Sequence, residues 1–348
     1  MNNWKIYDPH SAPATEKISL PAAPPWREPG MGRENVLART FRPDPALVDA
    51  VNTALYLRRP LLLTGRPGTG KSALAHSVAR LLGLGPVIEW AVNSRSTLQE
   101  GLYQYDALAR LQYIQQANAR SGTDASGKDA DELVKRLAPG PIGATLPSAG
   151  SAQDNEADEL GMFLTLGPLG TALASANAPR VLLVDEIDKS DVDLPNDLLN
   201  VLDTGHFMIP ELKRAAKRHR TVRISACDNE YIEVHGGEIT FTEYPFVVMT
   251  SNGERDFPAP FLRRCVQCQI REPDEKELQS IVTAHFESLP LGDDMLAIIS
   301  EFVRMRSTVT LATDQLLNAV HLLLSSDVPQ SDAERKRILG TVFQGLGG

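Results

Sequence analysis

A glycine-rich segment has the residue types and spacing of a phosphate-binding loop. It consists of Gly65, Arg66, Pro67, Gly68, Thr69, Gly70, Lys71 and Ser72. This order fits GxxxxGK[ST] at every position, after a predicted strand and at the start of a predicted helix. The glycines let backbone N–H groups approach phosphate oxygens, and the helix dipole favours negative charge there. Lys71 would reach the β- and γ-phosphates, and Ser72 would ligate Mg²⁺. The alternative, a plain glycine turn, does not need this context.

Two carboxylates follow a second apolar run. Residues 181–186 read VLLVDE, which predicts a buried strand ending in Asp185 and Glu186. Open α/β sheets bind ligands at the carboxyl ends of their strands. We expect Asp185 to hold the Mg²⁺ shell and Glu186 to polarise the attacking water as a general base. Surface carboxylates can give the same pattern, so the motif becomes specific only beside the phosphate-binding loop.

Apolar strands alternate with helical segments around these motifs. The five predicted strands are RPLLLTG, VIEWAV, VLLVDEID, FVVMTSN and CVQCQI. Continuous apolar strands between helices predict a parallel sheet covered on both faces. Residues 273–348 read as helical, and we expect a small second domain there.

Three segments depart from that plan. Residues 1–43 are rich in Pro, Arg and Ala, which predicts an irregular segment whose Trp26 packs on the globular body. Residues 118–159 are polar, and so long a connection is usually functional or disordered. Residues 221–243 predict extra strands around a hairpin turn at Gly236 and Gly237.

Charge and cysteine content narrow the possible classes of protein. A formal net charge of -9 makes the chain a poor default for binding a bare DNA backbone. Its three cysteines, Cys227, Cys265 and Cys268, suit a reducing cytosol, so we expect a cytoplasmic protein. The N-terminus lacks a signal-like apolar core, and no apolar run approaches the ~20 residues that cross a bilayer. No membrane association is therefore expected.

The two nucleotide motifs resemble those of the AAA+ ATPases, and more closely the MoxR-like branch of the helix-2-insert clade. The resemblance covers roughly residues 45–345. It implies ATP and Mg²⁺ as cofactors and a P-loop AAA+ α/β core over residues 44–272. That core would have three layers around a five-stranded parallel sheet. Residues 273–348 would then form the small helical lid.

The same resemblance assigns two further site residues. Asn252 ends the strand FVVMTSN at the sensor-1 position, where it would orient the lytic water; an ordinary turn asparagine is the alternative. Arg264, in PAPFLRRC, matches the arginine finger that enters the neighbouring subunit's ATP site. Arg263 is the second choice, and two surface arginines are the alternative.

Features of the MoxR-like branch lie in the segments that depart from the plan. Residues 94–106 and 163–173 resemble the entry and exit of a helix-2 insertion at about 95–172, which contains the polar stretch 118–159. Residues 221–243 resemble the pre-sensor-1 insertion. Asp314 stands where many relatives carry a sensor-2 arginine. Either Arg304 or Arg306 would replace that arginine, or sensor 2 is missing.

The resemblance implies a homo-oligomeric, hexameric ring that remodels, matures or assembles a protein client. Such relatives commonly act with a partner bearing a von Willebrand factor A domain. Two alternatives stay open. One is a nucleic-acid-linked motor or defence-system NTPase of the same clade, possibly using GTP. The other is a nucleotide-dependent assembly switch.

Two remaining patterns have ordinary explanations. The basic run at 213–220 fits a solvated loop better than a contact with an acidic partner or nucleic acid. Cys265 and Cys268 have zinc-knuckle spacing, but a closed zinc site needs about four ligands. We expect both cysteines to act as small apolar residues of a strand.

Overall fold

A computed structural model of the chain describes most of its residues in two compact units. The described residues are 21, 23–27, 31–121, 159–175, 178–217, 220–286, 292–324 and 332–344. The first unit combines Met1–Arg95, Ala178–Pro195 and Pro245–Gly348, and the second combines Ser96–Asn177 and Asn196–Tyr244.

The elements are numbered here in chain order. The strands are β1 Leu61–Thr64, β2 Ile88–Ala91, β3 Tyr103–Tyr105, β4 Leu164–Leu166, β5 Val181–Asp185, β6 His206–Met208, β7 Thr221–Ser225, β8 Tyr231–His235, β9 Glu238–Thr240, β10 Phe246–Ser251 and β11 Val266–Gln269. The helices are α1 Met31–Thr40, α2 Pro45–Leu57, α3 Lys71–Leu82, α4 Leu98–Leu102, α5 Ala107–Ser121, α6 Pro168–Leu173, α7 Leu194–Thr204, α8 Pro210–Ala215, α9 Ala259–Arg264, α10 Glu275–His285, α11 Asp293–Arg306, α12 Thr313–Leu324 and α13 Asp332–Val342.

The first unit is built on a five-stranded parallel sheet in the order β11-β1-β10-β5-β2. Every residue of β10 is buried, and so are the first four of β5, as is typical of the central strands of a parallel sheet. Helices α2 and α3 pack on this sheet in one apolar cluster. The predicted α/β class with five parallel strands is confirmed.

Helices α10 to α13 of the first unit share an apolar core of their own, which also takes in Trp26. The indole N–H of Trp26 donates to Asn318 Oδ1 at 3.1 Å. Its ring meets the edges or faces of His285, Phe286 and His321, each at a centroid distance of 5.7 Å. The prediction that Trp26 packs on the globular body is confirmed.

The predicted irregular N-terminal segment needs a correction. Helix α1 occupies Met31–Thr40, inside the range 1–43. No proline occurs between Pro29 and Pro43, and the intervening MGRENVLART contains good helix formers such as Ala, Leu, Arg and Glu. Val36 of this helix packs against the apolar core of helices α10 to α13. Residues 1–20 lie outside the described residues.

The second unit has a six-stranded sheet in the order β3-β4-β7-β8-β9-β6. Strands β8 and β9 pair His235 with Glu238 around Gly236 and Gly237, so the predicted hairpin is confirmed. Strands β4 and β7 are parallel neighbours through Thr165 and Ser225. This pairing joins the two segments that the sequence assigns to separate insertions.

Part of the polar stretch 118–159 can be compared with the structure. Residues 118–121 end helix α5, and residues 122–158 lie outside the described residues. Among the described helices, none combines the length and apolar character that crossing a bilayer requires.

Candidate active site

The glycine-rich loop runs from the end of β1 to the start of α3. Gly68 has φ 76° and Gly70 has φ 85°, a left-handed backbone that favours glycine. A methyl group on Gly68 would overlap Ala312, the residue just before α12. The loop therefore needs glycine for its conformation and for its close approach to the helical part of the unit.

Lys71 is held at the centre of this loop. Its side chain is buried, at 7% exposure. The ammonium group donates to the carbonyl oxygens of Gly65 and Arg66 at 2.8 and 2.9 Å, and to Asn252 Oδ1 at 2.8 Å. These three acceptors match the three N–H donors of a lysine.

Ser72 and Asp185 are brought together as the sequence predicts. The Ser72 hydroxyl donates to Asp185 Oδ1 at 2.9 Å. The Thr250 hydroxyl donates to the same oxygen and accepts the backbone N–H of Glu186 at 2.9 Å. A hydroxyl and a carboxylate at this distance are hard oxygen donors, the kind that Mg²⁺ takes. The residues present therefore fit a magnesium-bound nucleotide.

Glu186 adopts an unusual backbone conformation. Its φ of 58° and ψ of 47° lie in the left-handed region, which costs a non-glycine residue about 1–2 kcal/mol. Its carboxylate accepts from Asn252 Nδ2 at 3.2 Å and from Lys189 Nζ at 2.8 Å. The strain is thus found at the residue that the sequence predicts as the base.

The strand order explains why Asn252 touches both groups. Strand β10 lies between β1 and β5, and all three are parallel. Their carboxyl ends therefore meet at one edge, with Asn252 between Lys71 and Glu186. One amide accepts from the lysine and donates to the glutamate.

The electrostatics of the site centre on its two lysines. Burial lowers the pKa of Lys71, while the nearby negative charges of Asp185, Asp188 and Glu186 oppose that shift. The hydrogen bond to Glu186 raises the pKa of Lys189. At both lysines, the neighbouring carboxylates thus favour the charged form of the side chain.

Arg263 and Arg264 lie near the amino ends of the parallel strands, opposite the carboxyl ends at which the site is formed. They end α9, just before β11, whose first residue Val266 pairs with Leu61 at the start of β1. The glycine-rich loop begins beyond the end of β1, about 10 Å further along for a strand of this length. Both arginines are exposed. The structure does not bring them to the loop of their own chain.

The candidates for sensor 2 are placed differently from one another. Arg304 faces Glu301 on its own helix. Arg306 is largely buried, donates to the Pro273 carbonyl at 2.9 Å and lies 3.8 Å from Glu272. Asp314 is exposed in the first turn of α12.

Glu272 also pairs with Arg66 of the glycine-rich loop at 2.8 Å. It thereby connects the loop to Arg306 of helix α11. The Arg66 side chain is 60% exposed, so this ion pair adds little stability of its own. Its effect is to place a charged contact between the loop and the start of the helical region.

Three residues of this site were not singled out from the sequence. Thr250 binds Asp185, Lys189 binds Glu186, and Asp188 accepts the backbone N–H groups of the turn after β10. The letters DEIDK after a buried strand were an available signal for Asp188 and Lys189, since a tight turn there keeps both near the strand end.

The cysteine pair and the basic run are the two other patterns that the sequence presents. Cys265 is buried and Cys268 is half-buried in β11. Within the described ranges, no group of three His, Cys, Asp or Glu side chains is arranged to hold a metal ion. In the basic run, Lys213 lies 3.9 Å from Glu238 and Arg214 lies 3.7 Å from Glu211.

Comparisons with known proteins bear on this geometry. Residues 45–209 match a family model described as AAA ATPase domain. No curated protein matches the chain in sequence. A solved structure of C. elegans PCH-2 is 13% identical with a TM-score of 0.42, and the match covers 89% of this chain and 71% of that one. The matched range includes the glycine-rich loop and both carboxylates of the VLLVDE strand. Residues 45–209, a little under half of the chain, are thus similar to an AAA ATPase domain, which supports the resemblance to the AAA+ family.

Proposed function

We propose that this chain hydrolyses ATP within a homo-oligomeric AAA+ ring, and that the cycle remodels, matures or assembles a protein client. The observation that carries the proposal is the side chain of Asn252. It accepts from Lys71 at 2.8 Å and donates to Glu186 at 3.2 Å. One amide thus spans the gap between the predicted phosphate-binding cation and the predicted base.

The phosphate side of the reaction would belong to the glycine-rich loop. Lys71 exchanges carbonyl contacts for phosphate oxygens, and the N-terminus of α3 faces the same charge. Ser72 and Asp185 hold the metal side. Mg²⁺ held by these two residues would offset the negative charge of the phosphates.

The water side would belong to Glu186. A general base must lie within hydrogen-bond reach of the water that it deprotonates. Because Asn252 donates to the same carboxylate, its amide is placed to orient that water beside the γ-phosphate. Lys189 occupies the second oxygen of Glu186, so one oxygen on the Asn252 side serves as the proton acceptor.

The ring proposal rests on Arg264. This residue lies near the amino ends of the parallel strands, and its own glycine-rich loop follows the carboxyl end of β1. An arginine finger in this position would act on the nucleotide of a neighbouring subunit. A closed ring supplies one finger to every pocket. We propose a hexamer on the resemblance to the family, with Arg263 as the second candidate for the finger.

The MoxR-like branch supplies the finer part of the proposal. The two predicted insertions contribute strands to one sheet through β4 and β7, which gives this unit a structure of its own. A von Willebrand factor A domain partner and a protein client are proposed from the resemblance. The formal net charge of -9 favours this proposal over a nucleic-acid-linked motor, because affinity for a nucleic-acid backbone comes from neutralising phosphates.

Phosphate release by the purified full chain tests the proposal. We expect ATP and Mg²⁺ to give turnover in the wild type, and we expect Glu186→Gln to bind ATP with turnover lower by about 10²-fold or more. Turnover with GTP only, or only when DNA is present, would favour the defence-system alternative. Nucleotide-driven assembly without phosphate release in the wild type would favour the switch.

A further inference from the structure

Asp188 is a buried carboxylate beside the site, and the chemistry proposed above does not use it. Its side chain is only 4% exposed, in the short 3-10 helix Ile187–Lys189 that follows β5. Oxygen Oδ2 accepts the backbone N–H groups of Asn252 and Glu254, both at 3.0 Å. Oxygen Oδ1 is buried and meets no hydrogen-bond donor among the described residues.

Burying a carboxylate is costly unless hydrogen bonds compensate for the lost water. Both donors to Asp188 come from the turn that follows β10, and neither comes from its own helix. The carboxylate therefore ties the end of β5 to the turn after β10. Arg255 adds a second tie in the same direction, because its guanidinium donates to the carbonyl of Ser190 at 2.8 Å.

The turn after β10 carries Asn252. The hydrogen bond from the Asn252 backbone N–H to Asp188 fixes the position of the Asn252 backbone. The Asn252 side chain reaches Lys71 and Glu186 from that backbone position. A displacement of about 1 Å can reduce a rate by ~10²-fold when the displaced group orients a reactant. The backbone N–H of Asn252 and its side-chain amide are thus parts of one positioned unit.

We propose that Asp188 is a positioning residue for hydrolysis, because its carboxylate fixes the turn that holds Asn252 between Lys71 and Glu186. The proposal rests on the function proposed above. It assigns Asp188 no contact with nucleotide. Its loss therefore acts on the orientation of Asn252 and leaves the phosphate cradle in place.

A double-mutant cycle on turnover tests this role. We expect Asp188→Val and Asn252→Ala each to lower kcat by ~10²-fold, with little change in KM for ATP. In the Asp188→Val background, Asn252→Ala should then cost little more, because the amide is already misplaced. If the losses in kcat of the two single variants multiply in the double variant, the two residues act independently and the proposal is overturned. Asp188→Asn keeps one oxygen acceptor and should retain more activity than Asp188→Val.

Asp193→Ala is the matched control, since Asp193 is an exposed carboxylate in the same loop. It should leave kcat unchanged. Stoichiometric binding of a fluorescent ATP analogue shows whether each variant is folded. If Asp188→Val does not fold, the cycle is run with Asp188→Asn, where the same coupling with Asn252→Ala is expected and its absence overturns the role.

Hydrogen exchange separates a failure of this inference from a failure of the proposed function. Measured by mass spectrometry without nucleotide, exchange in a peptide covering residues 250–256 should be faster in Asp188→Asn than in the wild type, and unchanged in Asp193→Ala. Unchanged exchange in Asp188→Asn would overturn the positioning role. Should the wild type hydrolyse no nucleotide, the proposed function fails and this exchange still decides whether Asp188 holds the turn.

Discussion

Lys71 donates a 2.8 Å hydrogen bond to the side chain of Asn252. The bond joins the first residue of α3 to the turn after β10, because β1 and β10 are parallel neighbours whose carboxyl ends lie side by side. The Lys71 ammonium group therefore already lies beside Asn252, the predicted sensor 1. A small change in the side-chain torsions of Lys71 would let it exchange one of its present acceptors for a phosphate oxygen.

Lys71→Ala should therefore remove most nucleotide affinity. The loss of roughly two charge-assisted hydrogen bonds, at about 1.5–3 kcal/mol each, weakens binding by ~10²-fold or more. Titration with a fluorescent ATP analogue measures the change. Lys276→Ala is the control, because Lys276 is an exposed lysine on α10. Equal affinity in Lys71→Ala and the wild type would remove the phosphate-binding role.

The left-handed backbone of Glu186 predicts that glycine at this position is more stable than alanine. At φ 58°, glycine is accommodated better than alanine, so Glu186→Gly should be more stable than Glu186→Ala by about 1 kcal/mol. Both variants lack the carboxylate and should lose hydrolysis. Urea denaturation of the two proteins measures the difference.

Arg58 supplies the matched control for that comparison, because it has a similar φ of 52° at the end of α2. The same order of stability is expected for Arg58→Gly and Arg58→Ala. If the order holds at Arg58 and reverses at Glu186, the left-handed conformation of Glu186 is not a source of strain.

The Trp26 contact predicts a dependence of stability on pH. Burial lowers the pKa of His285, and the charge of Arg42 adds to that effect, while burial also lowers the pKa of His321. The folded chain thus binds protons less readily than the unfolded chain, whose histidines titrate near ~6.5. The free energy of unfolding should fall as the pH drops through and below that value.

Urea denaturation at pH 7.5 and 5.5 tests this prediction. His285→Asn keeps an N–H donor for the Ile281 carbonyl, which lies 2.9 Å from His285 Nδ1, and removes the titrating ring. Its stability should change less between the two pH values than that of the wild type. An equal or larger change in His285→Asn would show that the dependence arises elsewhere.

The sequence predicted the parts of the molecule that have strong local patterns. The central strands β1, β5 and β10 are largely continuous apolar runs, and the loop from Gly65 to Ser72 is a complete motif. The hairpin at Gly236 and Gly237 was predictable because two adjacent glycines mark a tight turn.

The second sheet could not be predicted in the same way. Strands β3, β4 and β6 have three residues each, too few to show a period, and their partners are distant in sequence. Within the site, Thr250 was missed because its role depends on the neighbouring strand: its hydroxyl lies between Asp185 and the backbone of Glu186. Only the pairing of β10 with β5 reveals that contact.

The position of Arg264 gives the last prediction. Because Arg264 lies near the amino ends of the strands and its own loop follows the carboxyl end of β1, its removal should leave each subunit's pocket intact. ATP binding should persist in Arg264→Ala, while turnover falls by ~10³-fold if the residue acts as other arginine fingers do. Phosphate release and nucleotide titration on the same preparation measure the two effects separately.

Mixing two inactive variants shows whether Arg264 acts between subunits. Arg264→Ala has an intact pocket and no finger, and Lys71→Ala has a finger and no pocket. Some interfaces of a mixed ring therefore join one intact pocket to one intact finger, and activity should partly return. Action within one chain predicts no rescue at any mixing ratio. If the two proteins co-assemble, as tagged co-purification would show, and the mixture stays inactive, Arg264 is not the finger. Arg263→Ala is then the variant to mix with Lys71→Ala.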